Sequence, residues 1–189
     1  MAREKNPVVA RSERLYLTPL SVEHAAAYMK WYNDPDIFGH IRDMAYQTNL
    51  EEQRKWVEDT NRDPTQKVFS VFFIPDDRLI GDGGFMNINW EDRKGEIGLV
   101  IGEMRYQRMG LGKELRWLLC KYGFEVLGLH NILGEHFANN PVSLQNAFKP
   151  GAKLMGTRRE SKFHDGVWLD THYTDMLPHE LVKPRATSD

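Results

Sequence analysis

Cysteine is nearly absent. A single Cys120 in 189 residues leaves no intrachain disulfide and no thiolate metal site. Histidine offers no substitute, because none of the seven pairs with another at His-x-x-x-His spacing, and no metal is expected. Long apolar runs are missing as well. Nothing approaches the roughly eighteen residues a membrane span needs. Met1 to Val9 is charged and carries no apolar stretch of secretory-signal length. Charge of one sign is not in surplus: 25 Lys and Arg face 27 Asp and Glu, a net charge of −2. That balance gives no global basic field for nucleic acid. These absences predict a cytoplasmic protein without nucleic-acid or membrane partners, and they leave a homodimer open. No internal repeat is present. The length suits one domain with a real core. Cys120, between Leu119 and Lys121 in a helical pattern, reads as a small packed residue rather than a nucleophile.

Periodicity then orders the chain. Arg14 to Leu20 alternates like a strand, and Ser21 suits the cap of a helix reaching Trp31. Asn33-Asp34-Pro35-Asp36 breaks that helix. Thr48 or Asn49 caps a second helix, Leu50 to about Asp59, with Trp56 and Val57 on its buried side. Val68 to Ile74, a strand within Arg78 to Trp90, and Glu96 to Gly102 read as strands. A long helix follows from near Gly112, with Leu111, Leu115, Leu118, Tyr122 and Val126 at helical spacing. Asn131 to Phe137 is a strand, a short helix comes next, and a hairpin turns at Asp165-Gly166. The order β-α-α-β-β-β-α-β-α-β-β predicts a mixed sheet in an α/β fold. Residues 1–12 read as an N-terminal extension, 13–180 as one domain and 181–189 as a frayed tail.

The most informative stretch is Arg105-Tyr106-Gln107-Arg108-Met109-Gly110-Leu111-Gly112, between a strand and the long helix. A glycine-rich turn there presents free N–H groups at the positive end of the helix dipole, which suits a phosphate or pyrophosphate. Gly110 and Gly112 let the backbone approach a bulky anion, and Arg105, Arg108 and Lys113 add charge. A triphosphate P-loop is excluded, because Lys113 is followed by Glu114. A dinucleotide fingerprint lacks its third glycine, where Leu115 stands, although Glu135 mimics the ribose-binding acid. A nucleotide-binding oxidoreductase therefore survives as a weaker alternative.

Gln107-x-x-Gly110-x-Gly112 resembles the pyrophosphate loop of the GNAT superfamily of N-acetyltransferases. Asn140, Ser143 and Gly151 resemble that superfamily's second signature. Glu13 to Leu20, Trp31-Tyr32-Asn33-Asp34-Pro35, Gly156 to Glu160, His164-Asp165-Gly166 and Trp168-Leu169-Asp170 are similar to its RimJ/RimL-like branch. The resemblance runs in order over residues 13 to 180. Two departures stand out: Ala147 where many members carry a Tyr, and Ala152 where they carry a Phe.

The resemblance implies transfer of an acetyl group from acetyl-CoA to a primary amine by direct attack on the thioester. The acceptor would be a protein N-terminus, a polyamine, an aminosugar or a similar small-molecule or peptide amine. It assigns the pantetheine arm to the backbone of Leu99, Val100 and Ile101, and the pyrophosphate to Gln107 through Lys113, including Met109 and Leu111. Asn140 would order the cofactor arm. Glu96 is the candidate base, because an ammonium must lose a proton before it attacks; a solvated strand charge is the alternative. Ser143 is the candidate acid for the leaving thiolate, or else a helix-end or cofactor contact. Since a thiol with pKa near 8.5 leaves readily, a dedicated acid is not obligatory. Trp31, Asp34 and Asn87 are candidate acceptor-site residues. Glu23, Asp36, Asp59, Asp170 and Asp175 are acids that would attract a cationic amine if they are not simply solvated. A non-catalytic acyl-CoA-binding or regulatory module is the competing reading.

Overall fold

The computed structural model describes residues 7–39 and 47–184. Apolar residues at every second position build the strands. β1 (Ala10–Arg11), β2 (Leu15–Pro19), β3 (Lys67–Phe73), β4 (Arg78–Asn89) and β5 (Lys94–Ile101) run antiparallel to one another in succession. β6 (Asn131–Phe137) joins β5 in parallel, and the hairpin of β7 (Lys153–His164) and β8 (Val167–Met176) closes the sheet in the order β1-β2-β3-β4-β5-β6-β8-β7. The helices are α1 (Ala25–Tyr32), α2 (Pro35–Phe38), α3 (Leu50–Arg62), α4 (Leu111–Glu125) and α5 (Pro141–Phe148). The mixed α/β sheet is as expected.

Several boundaries differ, each for a local reason. β1 adds a strand before the expected first one, pairing Ala10 with Leu17 and Arg11 with Tyr16. At the other end Val182 N donates to Pro150 O, and Lys183 pairs with Glu13 at 2.5 Å. Parts of the expected extension and tail are thus built into the domain, while residues 1–6 and 185–189 lie outside the described residues. The expected break after the first helix holds a single turn, α2, because Asp34 accepts from Asp36 N and Pro35 suits the first helical position. α3 runs past Asp59 to Arg62 from a capping box in which Asn49 and Glu52 satisfy each other's N–H groups. Val126, read as part of the buried stripe, follows the last residue of α4 and is exposed; Leu119 and Arg116 are buried instead.

The sheet separates two unlike layers. Leu15, Leu17, Val71, Phe85 and Ile97 face α4, where Leu111, Leu115, Leu118 and Leu119 complete an aliphatic core. Full burial of each such side chain contributes about 1.5–3 kcal/mol. On the other face α1 and α3 lay Tyr28, Trp31 and Val57 over Val68, Leu79 and Val100. Cys120 is buried, and burial pushes its thiol up to about 12, consistent with a packed residue.

Candidate active site

The parallel ladder between β5 and β6 is short. It pairs Lys94 with Asn131, Gly95 with Ile132 and Glu96 with Leu133, and then stops. β5 continues beside β4 to Ile101, and β6 continues beside β8 to Phe137. From Ile97 to Ile101 one edge of β5 therefore faces a wedge rather than a strand. Main-chain donors and acceptors on such an edge suit an extended amide-bearing chain. Leu99 and Ile101 turn their side chains into the aliphatic core and Val100 turns to the opposite face; main-chain groups alternate between the two edges of a strand, so those of Leu99 and Ile101 point to the wedge and those of Val100 to β4.

The glycine loop lies at the end of that strand. Gln107 Nε2 donates to Ile101 O at 2.9 Å, stapling the loop to β5 rather than offering its amide to a ligand. Arg14 Nη1 donates to Met109 O at 2.9 Å while its Nε pairs with Glu114 at 2.7 Å, which holds that carbonyl outward. Arg108 (φ 61°) and Gly110 (φ 71°) adopt the left-handed conformation. Alternation of hand along a turn aims successive N–H groups into one concavity. Glu114 N donates to Gly110 O at 3.3 Å, and among the described residues the N–H groups of 108 to 112 meet no main-chain acceptor. A Cβ at Gly112 would meet only Asn146 Nδ2, at 3.6 Å. Five amides at the positive end of a 15-residue helix fit a pyrophosphate.

Two expected cationic contacts sit elsewhere. Arg105 stacks on Tyr106, 4.6 Å from its centroid, and approaches Asp76 at 3.8 Å, because the short turn of Met104–Tyr106 points it away from the loop. Lys113 lines a separate recess with Ser12, Trp117 and Lys183.

Beside the wedge stands a buried polar chain. Asn140 caps α5, accepting from Ser143 N at 3.2 Å. Ser143 Oγ is therefore not the cap; it lies 2.9 Å from His136 Nδ1, and His136 Nε2 lies 3.0 Å from Thr174 Oγ1. Burial, with Arg116 and His172 nearby, pushes His136 down to about 3, so the imidazole is neutral and one ring nitrogen accepts while the other donates. Gly134 makes the space: a Cβ there would sit 2.7 Å from Thr174 Oγ1 and 3.0 Å from His136 Nε2. Buried Arg116 borders the same space, with Nε unpartnered and its charged form disfavoured by burial. Ala147 is fully buried, so this position leaves no open space beside the wedge.

The opposite face of β5 carries Glu96, Gly98 and Val100. Across the ladder they meet Met86, Gly84 and Asp82. Two facing glycines lower the sheet surface into a shallow trough between Glu96 and Asp82, which the Met86 side chain covers at Gly98. A Cβ on Gly98 would meet Met86 Cε at 2.8 Å, and one on Gly84 would collide with Lys67 O at 2.0 Å. Glu96 is exposed and accepts from Asn87 Nδ2 at 3.0 Å; Asn87 reaches it because its left-handed φ of 51° lies in a bulge of β4. Asp82 is only 5% exposed, accepts from Tyr32 Oη at 3.1 Å through Oδ1, and has no partner at Oδ2. Burial pushes its carboxyl up to about 7, against the Tyr32 hydrogen bond, which lowers it.

The remaining acceptor-side candidates have structural employment. Trp31 is 0% exposed, wedged where a Cβ on Gly102 would lie 2.1 Å from its ring, and donates from Nε1 to Glu103 at 3.2 Å; it has no surface to offer an acceptor. Asp34 caps α2. Asp170 accepts from Glu160 N, and Asp175 from Asn131 Nδ2. Asp59 lines an open recess with Glu52, Trp56 and Asp63. Sequence reading passed over Asp82, Tyr32, Arg116 and His136. The available signal for Asp82 was one acid inside the otherwise apolar and glycine run Ile80 to Phe85, and for His136 one polar residue at the parity of Ile132 and Gly134.

The wedge, the amide cradle and the capped start of α5 suit a cofactor with an extended amide-bearing arm and a pyrophosphate. Residues 14–153 match the acetyltransferase (GNAT) domain family, and the chain belongs to that family of acetyl-CoA-dependent acetyltransferases. It is similar to the uncharacterized N-acetyltransferase p20 of Bacillus licheniformis, 24% identical over 174 residues that cover 90% of this chain and 97% of that protein. It is 28% identical over 143 residues to the mouse alpha/beta-tubulin-N-acetyltransferase 9, covering 70% of this chain and 59% of the longer mouse protein. Among solved structures, spermidine N-acetyltransferase from Vibrio cholerae in complex with CoA and spermine superposes with a TM-score of 0.82 at 21% identity, over 89% of this chain and 98% of that one. A GNAT-family acetyltransferase from Bacillus anthracis gives 0.77 at 25%, over 90% and 99%.

Proposed function

We propose that this protein is an N-acetyltransferase of the RimJ/RimL-like branch that moves the acetyl group of acetyl-CoA to a primary amine by direct attack on the thioester. The observation that carries this is the pairing of a β5 edge that has no strand partner beyond Glu96 with the amide cradle at 108–112 one loop away. An extended pantetheine arm fits the first and a pyrophosphate the second. Holding thioester and amine in register supplies much of the rate gain, and unpaired N–H groups of β5 are placed to polarise the thioester carbonyl. Asn140 fixes the start of α5 beside the arm. The acceptor enters from the other sheet face along the trough between Glu96 and Asp82, whose two carboxylates favour a cationic amine. A small polyamine of the kind bound by the Vibrio neighbour and a peptide amine both match that chemistry.

The test is thiol release from acetyl-CoA across a panel of polyamines, aminosugars and peptide N-termini. Amine-dependent release is expected; CoA binding with no release for any amine would favour the non-catalytic module. A bulky replacement, Gly110→Trp, is expected to abolish the CoA-dependent rise in melting temperature without unfolding the chain. Stabilisation of the wild type by NAD in place of CoA would return the oxidoreductase alternative.

A further inference from the structure

We infer that Asp82, held by Tyr32, is the group that takes the proton from the acceptor ammonium, with Glu96 as the carboxylate at the mouth of the trough. The inference rests on the acetyltransferase reading above. Three observations carry it. The first is position: Asp82 is the cross-strand partner of Val100, in the middle of the β5 segment whose other edge faces the wedge. A carboxylate there sits beside the place where the arm's end emerges onto the acceptor face. Glu96, by contrast, pairs at the last closed rung of the ladder, where the wedge has not yet opened.

The second is an orphaned valence. Oδ1 is engaged by Tyr32, but buried Oδ2 has no partner among the described residues. A buried carboxylate oxygen without a donor is costly, and an ammonium entering the trough would satisfy it. The third is surroundings that suit a proton acceptor near neutrality. On this sheet face Asp82 meets Ser70 of β3, itself 2.7 Å from Tyr28 Oη and 3.3 Å from His24 Nδ1. α1 contributes Tyr32, α3 contributes Trp56 against Tyr28 and Tyr32, and β5 contributes Val100 with Glu96 farther along. None of these described groups is a cation at Asp82, and burial holds the carboxyl well above the ordinary carboxylate range. Glu96 has solvent and Asn87.

The step balances. The ammonium gives one proton to Asp82 Oδ2, and the freed nitrogen lone pair forms the C–N bond at the thioester carbonyl. The C–S bond breaks with its electron pair on sulfur. The second nitrogen proton accompanies amide formation and neutralises the thiolate, and Asp82 returns its proton to solvent.

The experiment measures thiol release against pH with acetyl-CoA and, as acceptors, spermidine and an alanine-terminated tripeptide. It uses the full-length wild type, Asp82→Asn, Glu96→Gln and Tyr32→Phe. Asp82→Asn is expected to lower turnover by about 10²-fold or more, with the CoA-dependent rise in melting temperature unchanged. It should also move the acidic limb from near 7 up toward the amine's own pKa, about 10 for an alkyl amine. Tyr32→Phe, which removes the bond that lowers the Asp82 pKa, should shift that limb upward by a smaller amount with turnover retained above it. Glu96→Gln should raise KM and leave the limb in place. An unchanged acidic limb in Asp82→Asn, or loss of the limb in Glu96→Gln, would overturn the assignment while the acetyltransferase reading stood. No thiol release from the wild type with any amine would sink that reading first.

Discussion

The two faces of the sheet solve different problems with different residues. The α4 face is aliphatic, with Leu15, Leu17, Leu111, Leu115 and Leu119 forming a continuous core, and its polar groups are confined to His136, Thr174, Ser143 and Arg116 beside the wedge. The α1–α3 face is built of rings. Tyr28, Trp31, Tyr32 and Trp56 pack edge to face over Ser70 and Asp82. Aromatic residues with a hydroxyl can fill a core and still hold a buried carboxylate, which leucine cannot. Burial acts with opposite sign on an ionisable group of each face: the Asp82 carboxyl is pushed up to about 7 and the His136 imidazole down to about 3. One face thereby holds the carboxyl proposed to accept a proton, and the other a neutral ring hydrogen-bonded to a hydroxyl.

Removing the largest ring is the hardest blow to this contrast. Trp31→Ala should cost about 3–5 kcal/mol in denaturant unfolding, because Gly102 is shaped to the indole and nothing else fills the space. A cost below about 1 kcal/mol would mean the aromatic layer is loosely packed and the trough is not held by it.

The next effect is in the pH dependence of stability. The native carboxyl of Asp82 binds its proton up to about 7, whereas an unfolded Asp releases it near 3.8. Wild-type stability from this group is therefore present at low pH and falls as pH rises through that window, by up to about 4 kcal/mol. His136 works the other way: its depressed pKa gives stability present above about 6.5 and lost as pH falls toward 3. The wild type is expected to show a shallow profile between those limits. Asp82→Asn should turn it into a clear rise with pH, and His136→Gln into a clear fall. Parallel profiles in all three proteins would show that the two groups are not buried as described.

The smallest expected effect concerns the hydroxyl on the cofactor side. Since Asn140 already caps α5, Ser143 is released from that duty, and His136 fixes its Oγ beside the wedge. Ser143→Ala should lower turnover by about 10²-fold with the CoA-dependent stabilisation retained. A loss of CoA affinity of about 0.5–2 kcal/mol with turnover intact would make the hydroxyl a cofactor contact instead. Ala147→Tyr is expected to destabilise the fold rather than to raise turnover, because a fully buried alanine cannot become a phenol without overpacking.

Much of the proposed cofactor side could be read directly from the chain. Gln107 through Gly112, the helix behind it and the Asn140–Ser143 spacing are contiguous features whose chemistry depends on local backbone hand, dipole and capping, and local sequence specifies those. Even there, the reach of long side chains was not local: Gln107 turned to Ile101, and Arg105 to Tyr106 and Asp76.

The acceptor side was decided by tertiary structure alone. Trp31 in a loop-flanking motif looked available to a ligand, yet folding placed it against Gly102, seventy residues on. Asp82 looked like one acid among many, yet its exposure, its partner Tyr32 and its place opposite Val100 follow from strand register and from a helix fifty residues earlier. Periodicity, turns and caps are encoded by neighbours in sequence, so the order of elements and the glycine loop proposed to hold a pyrophosphate were determined there. Burial of a charge is set by neighbours in space, so which carboxylate is fit to take a proton was left to the fold.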